Sequence, residues 1–434
     1  MKLKTVVASM VVLGGLSSPV FAAPYDINAS CGSACNAANY QQDTSLVPSL
    51  DFYFNKNQPG GIYQSGWSDR IFLSGRLNID AYLASKPPIF TNFAGQQVTG
   101  RASDLVLNNG NLFFDAKVNN WVTANLSIVY SSLVGVSGAS GPYEIPNSLF
   151  VRRPVPSNNL DTAYVTIANP ASSPVYFRIG KEYVPFGQYD PYGFLNDNPT
   201  QLFTETNAAV AQLGVVVPNG FYGSVYVFTG NPRFADQGDT RRIQNGGLDV
   251  GYGFSSCDIK TRFDIGYLAN IADSNLLSSY YTNYLVGTGV GTTTTPGLPN
   301  KKVPAYDIDA DITAGAFDFN GHFITTTRSV SDPFHPLGNG RYAHLGKPRV
   351  WGLEAGFTFP VSDHQSRVAI GYQGTTHLVN LLEKSRLYVD YIVNMAEWFD
   401  LGFAISRDKD YTAAEGGTGN TSTVGRVRFG VKFA

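Results

Sequence analysis

The chain has 434 residues, with 31 Lys and Arg against 33 Asp and Glu, a formal net charge of −2. Charged residues make up only 15% and aromatics reach 13%, with 25 Tyr, 28 Phe and 45 Gly against 3 Met. This balance excludes a basic nucleic-acid-binding surface of the usual kind. A mean hydropathy of −0.09 excludes a bundle of spanning helices, each of which needs about 20 mostly apolar residues in a row.

The chain opens on an export signal. Lys2 and Lys4 form a positive start, an uncharged run carries Val6, Val7, Val11, Val12 and Leu13, and Ser17, Ser18 and Pro19 break it. Val20-Phe21-Ala22 fits the small-residue cleavage rule. Cleavage is expected after Ala22, because a cut after Ala23 would place Pro24 at the new terminus. Loss of residues 1–22 removes two of the 31 bases and no acid, leaving 29 against 33 and a balance of −4.

Residues 23–70 are expected to form a short periplasmic segment, polar with Tyr and Gly. In an oxidising compartment Cys31 and Cys35 suit a local disulfide. Zinc would need two more soft ligands nearby, and all five histidines lie beyond residue 321. Lipidation at Cys31 would need an apolar residue in the preceding Asn28-Ala29-Ser30. The segment is too short for the plug of an energised receptor, a class whose barrel has about 22 strands.

Three uncharged stretches, 118–143, 206–232 and 274–300, are long enough to raise a helical reading. Pro218-Asn219-Gly220 breaks the second, polar residues alternate through the first, and the third is rich in Thr and Gly. Period-two alternation accounts for them better. Val122, Ala124, Leu126, Ile128 and Tyr130 share one face, while Thr123, Asn125 and Ser127 share the other.

The same pattern predicts a lone strand around Leu73–Leu83 and then seven hairpins. These are 112–118 with 122–130, 162–168 with 175–180, 209–217 with 221–229, 247–254 with 259–269, 305–314 with 317–325, 350–359 with 366–373, and 386–393 with 398–406. A final strand runs to Phe433. The expected fold is all-β: a transmembrane antiparallel barrel of about 16 strands occupying residues 71–434, with short periplasmic turns and long extracellular loops in a bacterial outer membrane. Trp121, Phe221 and Trp398 each follow a tight turn and are placed in a periplasmic aromatic girdle.

In lipid the apolar face must point outward and the ionised face inward. This sends Arg76, Arg178, Arg262, Arg426, Arg428 and Lys432 into the lumen, together with Asp307, Asp309 and Asp311 on the tenth strand. Arg76, Arg426, Arg428 and Lys432 share the closing strands and form a basic wall across the barrel from the acids. Such a transverse field orients charged solutes. The alternative is ordinary solvation of the lumen. The Gly- and aromatic-rich third extracellular loop is expected to fold inward, which would bring Lys181, Glu182, Tyr189, Asp190 and Tyr192 to the constriction.

No nucleophile elbow, zinc spacing, phosphate-cradling Gly loop or dinucleotide fingerprint is present, so neither catalysis nor a cofactor is expected. The terminal alternation ends on Phe433 with Ala434 beyond it, close to the terminal aromatic that the barrel assembly machinery reads.

The run Asp161–Ile167 (DTAYVTI), followed by YFRIGK at 176–181 and YVPFG at 183–187, resembles the LbtU-type siderophore porins. The Gly-Lys and Val-Pro-Phe-Gly element is also similar to phosphate-selective and related porins. The siderophore likeness extends more loosely to Phe433. It implies an outer-membrane porin or receptor for a ferric chelate, working without a plug. Residues 23–70 show no heptad pattern, so the N-terminal helical extension of that family's receptor is not expected. The alternatives are a general or anion-leaning diffusion porin, and a structural or adhesive barrel.

Overall fold

The structure, a computed structural model, describes residues 71–85, 90–91, 97–98, 102–130, 160–169, 172–187, 199–217, 219–230, 243–255, 259–278, 301–338, 341–379, 381–396 and 398–433. The expected export signal, the 23–70 segment with Cys31 and Cys35, and Tyr189, Asp190 and Tyr192 lie outside these residues.

Sixteen antiparallel strands close a single barrel. They are β1 (Ile71–Ala84), β2 (Ala102–Lys117), β3 (Val122–Tyr130), β4 (Leu160–Ala168), β5 (Val175–Tyr183), β6 (Asn207–Val216), β7 (Phe221–Thr229) and β8 (Ile243–Ser255). There follow β9 (Ile259–Leu268), β10 (Ala305–Ala314), β11 (Phe317–Thr326), β12 (Arg349–Val361), β13 (His364–Thr376), β14 (Ser385–Ala396), β15 (Phe399–Lys409) and β16 (Thr421–Phe433). Each strand pairs with its neighbours in sequence, and β16 returns to β1 with Asp80 opposite Arg428. Closure leaves no unpaired edge, the condition for a sheet to cross hydrocarbon. Among the described residues no helix is long and apolar enough to span a membrane.

Two of the short turns are set by Asn side chains. Asn119 Oδ1 accepts from the amides of Trp121 at 2.7 Å and Val122 at 3.0 Å. Asn219 Oδ1 accepts from Phe221 N at 3.2 Å. An Asn bonding to the backbone two residues on mimics a turn and starts the return strand without a long loop.

Alternation separates the faces as expected. Leu126, Val225, Ile265, Ile308, Leu353 and Ile405 are exposed on the outside, while Asp80, Asp309, Arg367 and Asp390 are buried within. Aromatic rings mark both rims of the outer band. Near the short turns Phe317, Phe357, Phe359, Tyr391 and Phe403 form a run with successive centroids 4.8, 5.6, 6.5 and 6.5 Å apart. Trp121, Phe221 and Trp398 are exposed on the same rim. At the long-loop end Tyr267 meets Tyr306 at 5.2 Å, and Trp351 meets Tyr372 at 5.1 Å. From Trp351 to Phe359 a strand tilted by about 40° rises roughly 20 Å along the barrel axis, close to the apolar band of such barrels.

Tyr and Gly face each other across strands inside the barrel. Tyr222 is paired with Gly251 and lies over it to reach Asp264, and Tyr388 lies over Gly371 to reach Glu354. A side chain at Gly251 would meet the Tyr222 ring. Part of the Tyr- and Gly-rich composition therefore serves the inner wall.

Two features differ from the sequence expectation. Strand β2 begins ten residues before Leu112, because the register with β1 shifts between Asn78 and Ile79. The unmatched Asn108 is a bulge, and it reverses the phase of alternation: Leu105 is exposed at 58% while Phe113 and Asp115 are buried. Residues 326–348, which lie between two of the expected hairpins where alternation predicts no strand, contain a separate two-stranded hairpin of Val330–Gly338 with Arg341–Gly346.

Candidate solute pathway

The inner wall is a set of ion pairs fixed by register. On the closing strands Arg428 grips Asp80 through Nε and Nη2, both at 2.7 Å. Tyr82 Oη donates to the same carboxylate at 3.0 Å, and the Arg426 guanidinium lies 4.5 Å above the Tyr82 ring. Arg76 Nη2 and Lys432 Nζ each stand 3.5 Å from Asp400. Arg76, Arg426, Arg428 and Lys432 thus share one sector as expected, but Asp80 and Asp400 offset their charge.

A second sector is organised by Arg367. It donates to Asp318 through Nε at 3.0 Å and to Glu354 through Nη2 at 2.7 Å, with Asp390 at 3.9 Å. Tyr388 Oη also donates to Glu354. Arg386 holds Asp408 at 2.8 Å on the neighbouring strands.

The third sector is acidic. Asp307, Asp309 and Asp311 face inward on β10, and β9 sets Asp264 opposite Asp309 and Arg262 opposite Asp311. Arg262 forms ion pairs with Asp264 at 3.0 Å and Asp311 at 2.6 Å. His322 Nδ1 lies 3.3 Å from Asp309. Asp249 enters from β8 beside Gly266, whose other neighbour is Asp307.

On β5, Arg178 points inward, with Glu182 at 3.1 Å and the Tyr164 ring at 4.7 Å. Lys181 does not join them. It falls in the outward phase with Ile179, and its ammonium donates to Leu160 O at the rim. Period-two geometry puts 178, 180 and 182 on one side and 181 on the other, so Lys181 is withdrawn from the expected constriction.

The third loop does enter the barrel. Val184 N donates to Thr206 O at 2.9 Å, and Gly187 N reaches Asp307 Oδ2 at 3.2 Å on the acidic sector. Beyond it the short helix α1 (Pro199–Thr204) is buried on every side, against β11, β12 and β13 rather than its own neighbouring strands. Phe186, Leu202 and Phe203 join inward residues Val210, Phe228, Leu268, Ile324 and Val350, with Ile271, Leu277, Leu378 and Leu381 from two other loops, in one apolar core. The long-loop end of the lumen on this side is therefore packed rather than open. Large apolar side chains in loop segments, Phe203, Leu277 and Leu381 among them, are the sequence signal of this core, which alternation along strands does not reveal.

Glu205, at the end of this loop, accepts from Asn275 Nδ2 at 2.7 Å and stands 3.4 Å from Gln201 Nε2. Burial pushes its carboxyl up to about 8. The docked loop thus favours protonated Glu205, whose ordinary value is near 4.5. Docking is strongest below the ordinary value and weakens as pH rises toward about 8. Single-channel conductance is expected to rise between those limits and to lose this dependence in Glu205→Gln. A profile that persists in the variant would assign it elsewhere.

A closed sixteen-strand barrel with an apolar belt, two aromatic rims and an ionised interior is a bacterial outer-membrane protein of porin-like fold. No protein-family model matches the chain. It is 25% identical over 358 residues to a UPF0422 protein of Legionella pneumophila strain Lens, covering 77% of this chain and 63% of the relative. It is 26% identical over 279 residues to a UPF0422 protein of Coxiella burnetii, covering 62% of this chain and 55% of the relative. The chain therefore spans less than two thirds of the curated relatives it matches. Among solved structures it resembles the outer membrane channel DcaP of Acinetobacter baumannii, with a TM-score of 0.52, 10% identity, and coverage of 84% of this chain and 97% of that one. It also resembles an anion-selective porin from Comamonas acidovorans, with a TM-score of 0.50, 12% identity, and coverage of 84% and 99%. At these identities the likeness is one of fold.

Proposed function

We propose that this barrel is a passive channel for small solutes across the outer membrane. The observation that carries the reading is that residues 184–187 and 199–206 lie inside the barrel, Gly187 against Asp307 and α1 against β11–β13, among ionised wall residues. A purely structural barrel gains nothing from many ionised groups inside, whereas a solute path needs a wetted, narrowed interior. The proposed lining is Arg76, Arg178, Glu182, Arg262, Asp307, Asp309, Asp311, Arg426, Arg428 and Lys432. Purified protein in a planar bilayer is expected to give discrete conductance steps, and a sealed barrel with adhesive loops would give none.

Uptake of a ferric chelate is the narrower reading, supported by the sequence likeness over 161–187. Cells carrying the gene should use a ferric siderophore as sole iron source better than cells without it. Equal growth would leave a general diffusion channel. An anion preference is less well supported, because Asp80 and Asp400 offset the basic closing strands.

A further inference from the structure

We propose that the β8–β10 wall beneath the inturned loop is a binding site for an organic cation bearing ammonium or guanidinium groups. The proposal rests on the channel reading for its physiological role, but the binding itself does not.

Asp264 and Asp309 stand directly opposite each other on paired strands. Like charges in that position destabilise a sheet, so the arrangement works against folding unless a positive charge answers it. Arg262 answers part of it, holding Asp264 and Asp311. Asp249, Asp307 and Asp309 lie beyond those two contacts, and their carboxyls interact with one another.

A second observation points to a ligand. Asp307 is 1% exposed, and its Oδ1 has no hydrogen-bond partner among the described residues, while Oδ2 accepts from Gly187 N. That oxygen sits over Gly266, where a side chain would displace it. Asp309 Oδ1 has His322 Nδ1 at 3.3 Å and no hydrogen bond of proper geometry. The Asp307 and Asp309 side chains share one hydrogen bond with each other, which leaves an oxygen of each without a donor. A buried carboxylate oxygen in that state is costly, and a group that supplies several N–H donors answers both.

The class of cation follows from the spacing. Among the described residues no three His, Cys, Asp or Glu side chains converge as metal ligands. The acids are instead spread over three adjacent strands, so Asp249 and Asp307 are about 10 Å apart at ordinary strand spacing. An extended cation with two or more nitrogen groups spans such a row, as a compact metal ion does not. Gly187 places the loop at its upper edge, so a bound cation would sit at the narrowing of the path.

Spermidine is the probe. In a potassium chloride gradient the wild-type channel should pass potassium in preference to chloride, and spermidine should block it. Asp307→Asn with Asp309→Asn should weaken the block at least tenfold and lower the potassium-to-chloride permeability ratio at least threefold. If that double variant does not insert, Asp249→Asn, which lies on β8 away from the loop contact, should weaken the block at least threefold. Calorimetry of spermidine binding to the refolded barrel in detergent separates the two readings. Binding that is lost in the Asn variants, in a barrel that passes no current, would uphold the site and sink the channel. A conducting barrel whose wild type neither binds spermidine nor prefers potassium would overturn the site, as would a block unchanged in the Asn variants.

Discussion

Replacing Phe203 by Asp is expected to free the third loop from the lumen and raise single-channel conductance at least twofold, with the barrel still folded. Phe203 is fully buried in the core made by Phe186, Leu202 and the inward residues of β11 and β12. Loss of a buried Phe costs about 3–5 kcal/mol, and an ionised carboxylate in its place costs several more. The apolar residues that dock the loop contribute roughly 1.5–3 kcal/mol each, so the substitution removes most of what holds the segment. The strand ladder does not depend on it. Limited proteolysis supplies a second readout, since residues 184–206 should become cleavable. Unchanged conductance together with full protease resistance would show that this core does not restrict the path.

Arg367→Met is expected to be the most destabilising single change in the wall. The guanidinium is shared by Asp318, Glu354 and Asp390, all buried. Without it three carboxylates keep their mutual repulsion and lose their common counter-charge, and Asp318 and Glu354 also lose a donor. Breaking a buried pair by removing one partner costs about 3–5 kcal/mol. Arg367→Lys should recover only part of the loss, because an ammonium lacks the planar fork that meets Asp318 and Glu354 together. Thermal unfolding followed by circular dichroism checks the order wild type, Lys, Met. A Met variant as stable as the wild type would mean that water already screens this group.

The strand count and the assignment of faces were legible because lipid imposes one rule on every strand. Leu126, Ile308 and Val431 must face out, and Asp309 and Arg428 must face in, whatever the register. The Asn-led short turns at 119 and 219 were equally plain, since the turn chemistry is local. Register-dependent facts were not. Asp80 lies about 350 residues from Arg428 and meets it only through barrel closure, so four bases in sequence looked like an open basic wall. Asp249 and Asp264 were legible as inward residues, but their union with Asp307 and Asp309 required the β8–β10 alignment. Asn108 hid the start of β2, since a bulge reverses the phase on which the strand was recognised. Lys181 was misplaced by reading a loop outward from a motif rather than counting alternation through Glu182.

The most direct test is current through the purified, refolded barrel in a planar bilayer, wild type beside Phe203→Asp. A solute channel gives discrete steps in the wild type and larger steps in the variant, both reversing at a potential of cationic sign. A barrel that inserts in both forms and stays electrically silent in both would contradict the channel reading.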